Sequence, residues 1–173
     1  MKNLWLDAME FLDEFYFVLS DPFFDLYMEI VSKLNHLKGC IIHNSLPSEK
    51  LLKIVNVFPK LPNLTLNGEM DDEVLKLLAS KSNKSNALKE LTLVPAIGFS
   101  IDALEHFFKR ATFLDESQID LKINAAWPDV EEMFKRIGKY EVSLRLEEET
   151  EVWLILKKIN ENICITVSIF LNL

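Results

Sequence analysis

The sequence predicts an α/β fold in which a curved parallel sheet carries helices on its convex side and advances as a right-handed solenoid. Three observations predict it. A pattern of apolar residues returns every 24 to 27 positions. Apolar and polar residues alternate within each copy, as in a strand with one buried face. A stretch with the apolar spacing of a helix follows most copies. Because one such unit cannot bury its apolar face alone, neighbouring units have to stack.

The repeated pattern is L-x-x-L-x-L, and each copy is a predicted strand. The four clear copies begin at Leu12, Leu37, Leu61 and Leu88. Weaker copies contain the pairs Leu121 and Ile123, Leu144 and Leu146, and Ile165 and Val167. The segments SQIDLKIN and YEVSLRLE show the period of two most clearly, which favours strands with one face buried and one face exposed.

Each strand is followed by a segment that we predict to be an amphipathic helix. These helices cover residues 22–34, 45–58, 71–78, 100–108, 128–137 and roughly 150–159. Asp21 precedes Pro22, so it is a candidate N-cap with proline at the first helical position. Ser100 is the corresponding cap of the fourth helix, and Gly138 marks the end of the fifth.

The length of 173 residues and the hydrophobic fraction of 49% predict one domain that spans residues 1–173. We expect an N-terminal cap helix over 1–11 and about six to seven strand–helix units over 12–170. A doubly wound α/β sheet is the alternative. Its strands would be buried on both faces and would read as continuous apolar runs, so the observed alternation favours the solenoid without excluding the other fold.

The segments LPNLTLN and LKELTLV resemble leucine-rich repeats of the long, helix-bearing kind, and the resemblance covers roughly residues 12–170. Three positions after the strand motif, where that family carries Asn or Cys, this chain has Ser20, Ser45, Glu69 and Ala96. The repeats are therefore divergent, and they are similar to the substrate-recognition domains of F-box proteins. The resemblance implies a protein-binding module that serves as a substrate adaptor of a ubiquitin ligase or as an assembly subunit.

The concave sheet of such a solenoid presents the residues that lie between the buried positions. One predicted row contains Tyr16, Ile41, Thr65, Thr92, Lys122 and Arg145, and the next contains His43, Asn67, Asn124 and Glu147. We predict that these residues contact a protein or peptide partner, with Tyr16 as an aromatic anchor and Arg145 as a charged one. The alternative for each of them is an ordinary solvated strand residue.

The residue types argue against an enzyme. The chain has three histidines and four glycines, and it contains no H-E-x-x-H, C-x-x-C, EF-hand, G-x-G-x-x-G or P-loop motif. We therefore expect no catalytic residue, no metal and no cofactor. The open alternative is a small α/β enzyme or pseudoenzyme with its site at the C-terminal strand ends, where Ser20, His43, Asn67 and Asn124 would lie.

Charge and cysteine usage indicate which partners and compartment to expect. Asp and Glu number 27 against 19 Lys and Arg, so a net charge of −8 disfavours nucleic acid and anionic membranes. Cys40 and Cys164 are far apart and flanked by apolar residues, which predicts free thiols in the cytoplasm or nucleus. No stretch approaches the ~20 apolar residues of a membrane span.

The segment 163–173, ICITVSIFLNL, is an uncharged strand-like sequence at the end of the chain. We expect it to form an uncapped edge of the sheet, because no further unit follows it. Exposed apolar edges pair with other chains. The sequence therefore predicts self-association or a subunit contact through residues 163–170.

Overall fold

The computed structural model describes residues 8–9, 11–148 and 151–171. In this part of the chain, the strands are β1 Glu14–Leu19, β2 Gly39–Asn44, β3 Asn63–Gly68, β4 Leu88–Pro95, β5 Phe113–Ile123, β6 Tyr140–Glu147, β7 Glu151–Lys158 and β8 Cys164–Leu171. The helices are α1 Phe24–Val31, α2 Ser48–Val57, α3 Asp72–Lys81, α4 Ile101–Arg110 and α5 Trp127–Ile137. These five helices occupy the first five predicted helical segments.

The eight strands form one open sheet in the order β1-β2-β3-β4-β5-β8-β7-β6. Strands β1 to β5 lie side by side in chain order and are parallel, and β8 is parallel to β5. The contacts of β7 with β8 and with β6 are antiparallel. The protein is thus α/β with a mostly parallel sheet of mixed orientation, and the predicted strand-by-strand advance describes only β1 to β5.

One row of buried side chains crosses seven of these strands and fixes their register. We call this row the apolar ladder; it contains Phe17, Ile42, Leu66, Leu93, Leu121, Ile169 and Val152. Each of its side chains is at most 3% exposed. Its first four members are the last positions of the four clear L-x-x-L-x-L copies, so the repeat pattern marks the residues that meet under the helices.

The helices cover one face of the sheet. Each of α1 to α4 contacts the next helix in the chain, which indicates a single layer. This is expected because parallel crossovers are right-handed, so crossovers that advance in one direction place their helices on the same side. Ser100 caps α4 by accepting a hydrogen bond from Ala103 N at 3.2 Å, and Gly138 ends α5 in the left-handed conformation with φ 64°.

An aromatic cluster fills the core between α4, α5 and the neighbouring strands. Phe108 lies 5.0 Å from Phe134, 5.7 Å from Phe113 and 6.0 Å from Tyr140, measured between ring centroids. The Tyr140 hydroxyl donates to the Phe108 carbonyl at 3.0 Å, and burial raises the pKa of Tyr140. The phenol therefore stays protonated and keeps its hydrogen bond inside the core.

A backbone hydrogen bond links each early turn to the turn before it. The bonds run from Ser45 N to Leu19 O at 3.4 Å, from Glu69 N to Asn44 O at 3.2 Å and from Ala96 N to Gly68 O at 3.1 Å. These donors stand at the positions where the leucine-rich-repeat resemblance implies Asn or Cys. A main-chain N–H needs no particular side chain, so the turns stay connected although the residue types vary.

The structure corrects the prediction for the C-terminal third. Residues 150–159 were expected to be a helix, but β7 occupies Glu151–Lys158. Its burial alternates with period two: Val152, Leu154 and Leu156 are buried, while Trp153 and Ile155 are partly exposed. The apolar spacing was compatible with both periods, and pairing with β8 selected the strand. The described chain thus has five strand–helix units followed by β6, β7 and β8.

The prediction of an exposed edge at residues 163–170 is also wrong. Strand β8 lies in the interior of the sheet, with β5 on one side and β7 on the other. Its backbone groups pair within the chain, so this strand offers no free edge for the predicted self-association. The predicted cap helix over 1–11 falls largely outside the described residues; Ala8 and Met9 are helical.

Gly68 provides a test of the close packing between turns. Its φ is +111°, and a Cβ atom built there would lie 2.1 Å from the Asn44 carbonyl oxygen. We expect Gly68→Ala to lower the free energy of unfolding by more than about 2 kcal/mol, because backbone strain and overlap add. Urea denaturation measures this change.

Gly39→Ala is the matched control for this prediction. A Cβ atom at Gly39 would meet only Glu14 Cγ, at 3.6 Å, which is ordinary van der Waals contact. Its free energy of unfolding should change by less than about 1 kcal/mol. Equal losses for both variants would contradict the role assigned to Gly68.

Candidate functional site

The side of the sheet opposite the helices is the candidate functional site, and we call it the open face. Residues that alternate with the buried ones point to it. Strand register aligns one row across all eight strands: Tyr16, Ile41, Thr65, Thr92, Asp120, Ser168, Trp153 and Leu146. A second row, nearer the C-terminal ends of the parallel strands, begins Val18, His43, Asn67 and Val94.

The register brings together six of the ten residues that the sequence predicts for partner binding. Tyr16, Ile41, Thr65 and Thr92 are consecutive in the first row. His43 and Asn67 are neighbours in the second row. The parallel pairing of β1 to β4 without a shift explains this, because equal positions of successive copies then lie side by side.

The predicted position of Lys122 is wrong by two residues. Asp120, and not Lys122, pairs with Thr92, while Lys122 pairs with Phe170. Ile119, Leu121 and Ile123 are all buried, so the apolar pattern fits the pair Ile119 and Leu121 as well as the pair Leu121 and Ile123. A register shift between β4 and β5 beside Glu116, whose φ is +58°, decides which pair continues the row, and no repeat alignment shows such an irregularity.

The remaining three predicted residues lie outside the first two rows. Asn124 follows the end of β5 and donates its backbone N–H to Phe99 O at 2.8 Å. Arg145 and Glu147 occupy register positions opposite Leu154 and Val152, which are buried under the helices. Their side chains lie outside the described part of the structure. A register shift between Val142 and Leu144 in the pairing of β6 with β7 displaces these two positions from the predicted rows.

A groove of about 530 Å³ runs along the open face over β1 to β5. Its polar and charged lining residues are Glu14, Tyr16, Lys38, Asn63, Thr65, Glu90, Thr92, Gln118 and Asp120. The lining thus contains three carboxylates and one ammonium group. That ammonium group, Lys38 Nζ, is 2.8 Å from Asp13 Oδ2, so its charge is already paired.

The β1–β2 end of the open face is apolar and aromatic. Tyr16 is 58% exposed, Val18 59% and Ile41 43%. The Tyr16 ring lies 5.3 Å from the His43 ring, measured between centroids. Large apolar side chains that gather on one uncovered face are typical of contact surfaces.

The β5–β8–β7 end is polar, and its residue Asp120 was not among the predicted contact residues. Asp120 Oδ2 accepts hydrogen bonds from Thr92 Oγ1 and Gln118 Nε2, both at 3.1 Å. Asp120 Oδ1 is buried and has no hydrogen-bond partner among the described residues. Ser168, the strand neighbour of both Asp120 and Trp153, is 6% exposed. The Ser168 hydroxyl and the Asp120 carboxylate therefore lie on a part of the sheet that has little contact with water.

Glu151 adds a second carboxylate to this end. Burial raises its pKa, the Trp153 side chain opposes this by donating a hydrogen bond, and the negative charges of Asp120 and Glu148 raise the pKa further. Trp153 and Glu151 were not predicted to lie on the sheet because their segment was assigned to a helix. The only sequence signal for Asp120 was a polar residue between two strand positions, Ile119 and Leu121.

The geometry gives little support to the alternative of a catalytic site at the C-terminal strand ends. Ser20 Oγ lies 3.5 Å from Tyr27 Oη, and His43 contacts Tyr16. Burial raises the pKa of the Cys40 thiol to about 12, so it stays protonated and is a poor nucleophile. Within the described residues, no group of three or more His, Cys, Asp or Glu side chains could hold a metal ion.

Comparison with known proteins adds no relative: no protein-family model, no curated protein and no solved structure matches the chain. Among the described residues, no helix is long and apolar enough to cross a membrane.

The raised pKa of Glu151 predicts that its charge destabilises the fold. When the pKa of a carboxyl is higher in the folded state than in the unfolded state, the free energy of unfolding falls as pH rises through the two pKa values. We expect Glu151→Gln to raise the melting temperature at pH 7 by about 1–3 °C. At about pH 3, the carboxyl is protonated in both the folded and the unfolded state, so the variant and the wild type should have the same melting temperature.

Glu141→Gln, an exposed glutamate on β6, is the control for this measurement. Both substitutions remove one negative charge, so an effect of net charge alone would raise both melting temperatures equally. A lower melting temperature for Glu151→Gln at pH 7 would contradict the prediction.

Proposed function

We propose that this protein is a non-enzymatic interaction module that binds a protein or peptide partner on the open face. The observation that carries the proposal is the groove lined by the exposed side chains of Tyr16 and Ile41, with Val18 exposed beside them on the same face. A monomeric protein normally covers such a cluster or uses it for contact. The helix layer lies on the opposite side of the sheet, so it leaves this cluster uncovered.

The architecture supports the finer proposal of a divergent, leucine-rich-repeat-like solenoid with a concave binding sheet. Strands β1 to β5 follow one another in chain order, and their turns are linked by repeated backbone hydrogen bonds. Units stacked in this way produce an extended surface that a partner can contact at several places. A substrate adaptor of a ubiquitin ligase or an assembly subunit would use such a surface.

The binding mechanism would be equilibrium association without a chemical step. Tyr16 supplies a large rigid surface, and Ile41 and Val18 extend it at the same end of the groove. Thr65 and Thr92 offer hydroxyl groups further along the row. Burial of the apolar end would provide most of the affinity, and the polar rows would select the partner.

A comparison of matched surface variants tests the proposed function. Peptides are first selected from a random display library by binding to the wild-type protein. Their affinities for the wild type and for Tyr16→Ser/Ile41→Ser are then compared. Two truncated contacts of about 1 kcal/mol each should weaken binding at least about tenfold. Fluorescence anisotropy with labelled synthetic peptides measures the dissociation constants.

Phe23→Ser/Leu26→Ser is the control on the helical side of the protein. Phe23 and Leu26 are 54% and 43% exposed, against 58% and 43% for Tyr16 and Ile41, so similar apolar surface is removed. The selected peptides should bind this variant like the wild type. Retained binding by the open-face variant, or equal losses by both variants, would overturn the proposal.

A further inference from the structure

We infer that the partner segment is extended and basic, with an apolar end on the Tyr16 side of the open face and Lys or Arg side chains over Asp120 and Glu151. This inference rests on the proposed function and specifies the chemistry of the partner. It follows from the charge, the hydrogen bonding and the spacing of the residues along the first two rows.

The first argument is charge complementarity. Glu14, Glu90 and Asp120 line the groove, and Lys38, the one ammonium group among the described residues of the lining, is already paired with Asp13. The groove thus presents an excess of negative charge. A cationic segment would be attracted to it, and an acidic segment would be repelled.

The second argument concerns Lys122, a cation on the same strand as Asp120. Lys122 lies on β5 two residues after Asp120, but its Nζ donates to the Ala96 carbonyl at 3.1 Å. Its head group is therefore directed to the end of β4. No ion pair joins Asp120 or Glu151 to a Lys or Arg within the described residues.

The third argument is that the polar end is incompletely satisfied. Asp120 and Glu151 repel each other, and Ser168 between their strands is 94% buried without a side-chain hydrogen bond in the described part of the chain. A guanidinium group carries five N–H donors and a positive charge. One arginine could thus offset the repulsion and donate to several of these oxygens.

The fourth argument is spacing. Tyr16 and Asp120 occupy the same row on β1 and β5, four strand steps apart. At ~4.8 Å per step this is about 19 Å, and an extended peptide at ~3.3 Å per residue covers it with about six residues. Strand β7, which carries Glu151, is two steps further. The partner should therefore carry its basic residues about six to nine positions from its apolar contact.

Labelled peptides of about twelve residues test this inference by fluorescence anisotropy at two salt concentrations. The first peptide carries Phe-Leu and Arg-Arg separated by about six neutral residues, in either order. In the second, citrulline replaces both arginines, which removes the charge while keeping the shape. In the third peptide, the Phe-Leu and Arg-Arg pairs are adjacent, with no neutral residues between them. We expect the first peptide to bind at least about tenfold more tightly than the others and to weaken with added salt.

Matched charge variants locate the contact. Glu90→Gln/Asp120→Asn/Glu151→Gln should lose about tenfold in affinity for the arginine peptide and little for the citrulline peptide. The control, Glu49→Gln/Asp102→Asn/Glu132→Gln, removes the same charges from exposed positions on the helices. It should bind the arginine peptide within about twofold of the wild type. Circular dichroism confirms that both triple variants are folded.

The outcomes separate this inference from the proposed function. Equal affinity for the arginine and citrulline peptides, with loss of both in Tyr16→Ser/Ile41→Ser, would overturn the basic partner and leave the open face as the binding site. Equal losses in both triple variants would show an effect of net charge and would also overturn the inference. Binding that is insensitive to every open-face substitution would overturn both proposals.

Discussion

The apolar ladder, from Phe17 on β1 to Val152 on β7, is the contact on which the rest of the structure depends. No single unit can bury its leucine positions alone, so each strand is held in register by the strands on either side. With this register fixed, the alternation of strand residues determines which side chains reach the open face. The binding surface is therefore a consequence of how the core packs.

The C-terminal third closes the sheet in a different way from the units before it. After α5, the chain continues to the far edge as β6 and returns through β7 to place β8 beside β5. This arrangement pairs both sides of the apolar strand β8, which would otherwise be a site of aggregation. It also brings Trp153 beside Ser168 and Glu151 beside Phe170, and thereby forms the polar end of the open face.

The two ends of the open face differ in what they contribute to stability. At the β1–β2 end, Tyr16 and Ile41 expose apolar area that a partner could bury without affecting the core. At the other end, Asp120 and Glu151 hold negative charge near each other in a partly dry environment, which costs stability. Residues that lower the stability of a fold are often retained for binding, which agrees with the basic partner inferred here.

The sequence by itself determined the period, the strands β1 to β5 and the five helices, because local apolar spacing dictates which face of each segment is buried. It also determined the alignment of Tyr16, Ile41, Thr65 and Thr92, since β1 to β4 pair without a shift. Only the tertiary structure decided the strand at Glu151–Lys158, the interior place of β8 and the position of Asp120. These features depend on pairing between distant segments and on a local irregularity near Glu116, and neither leaves a periodic signal in the chain.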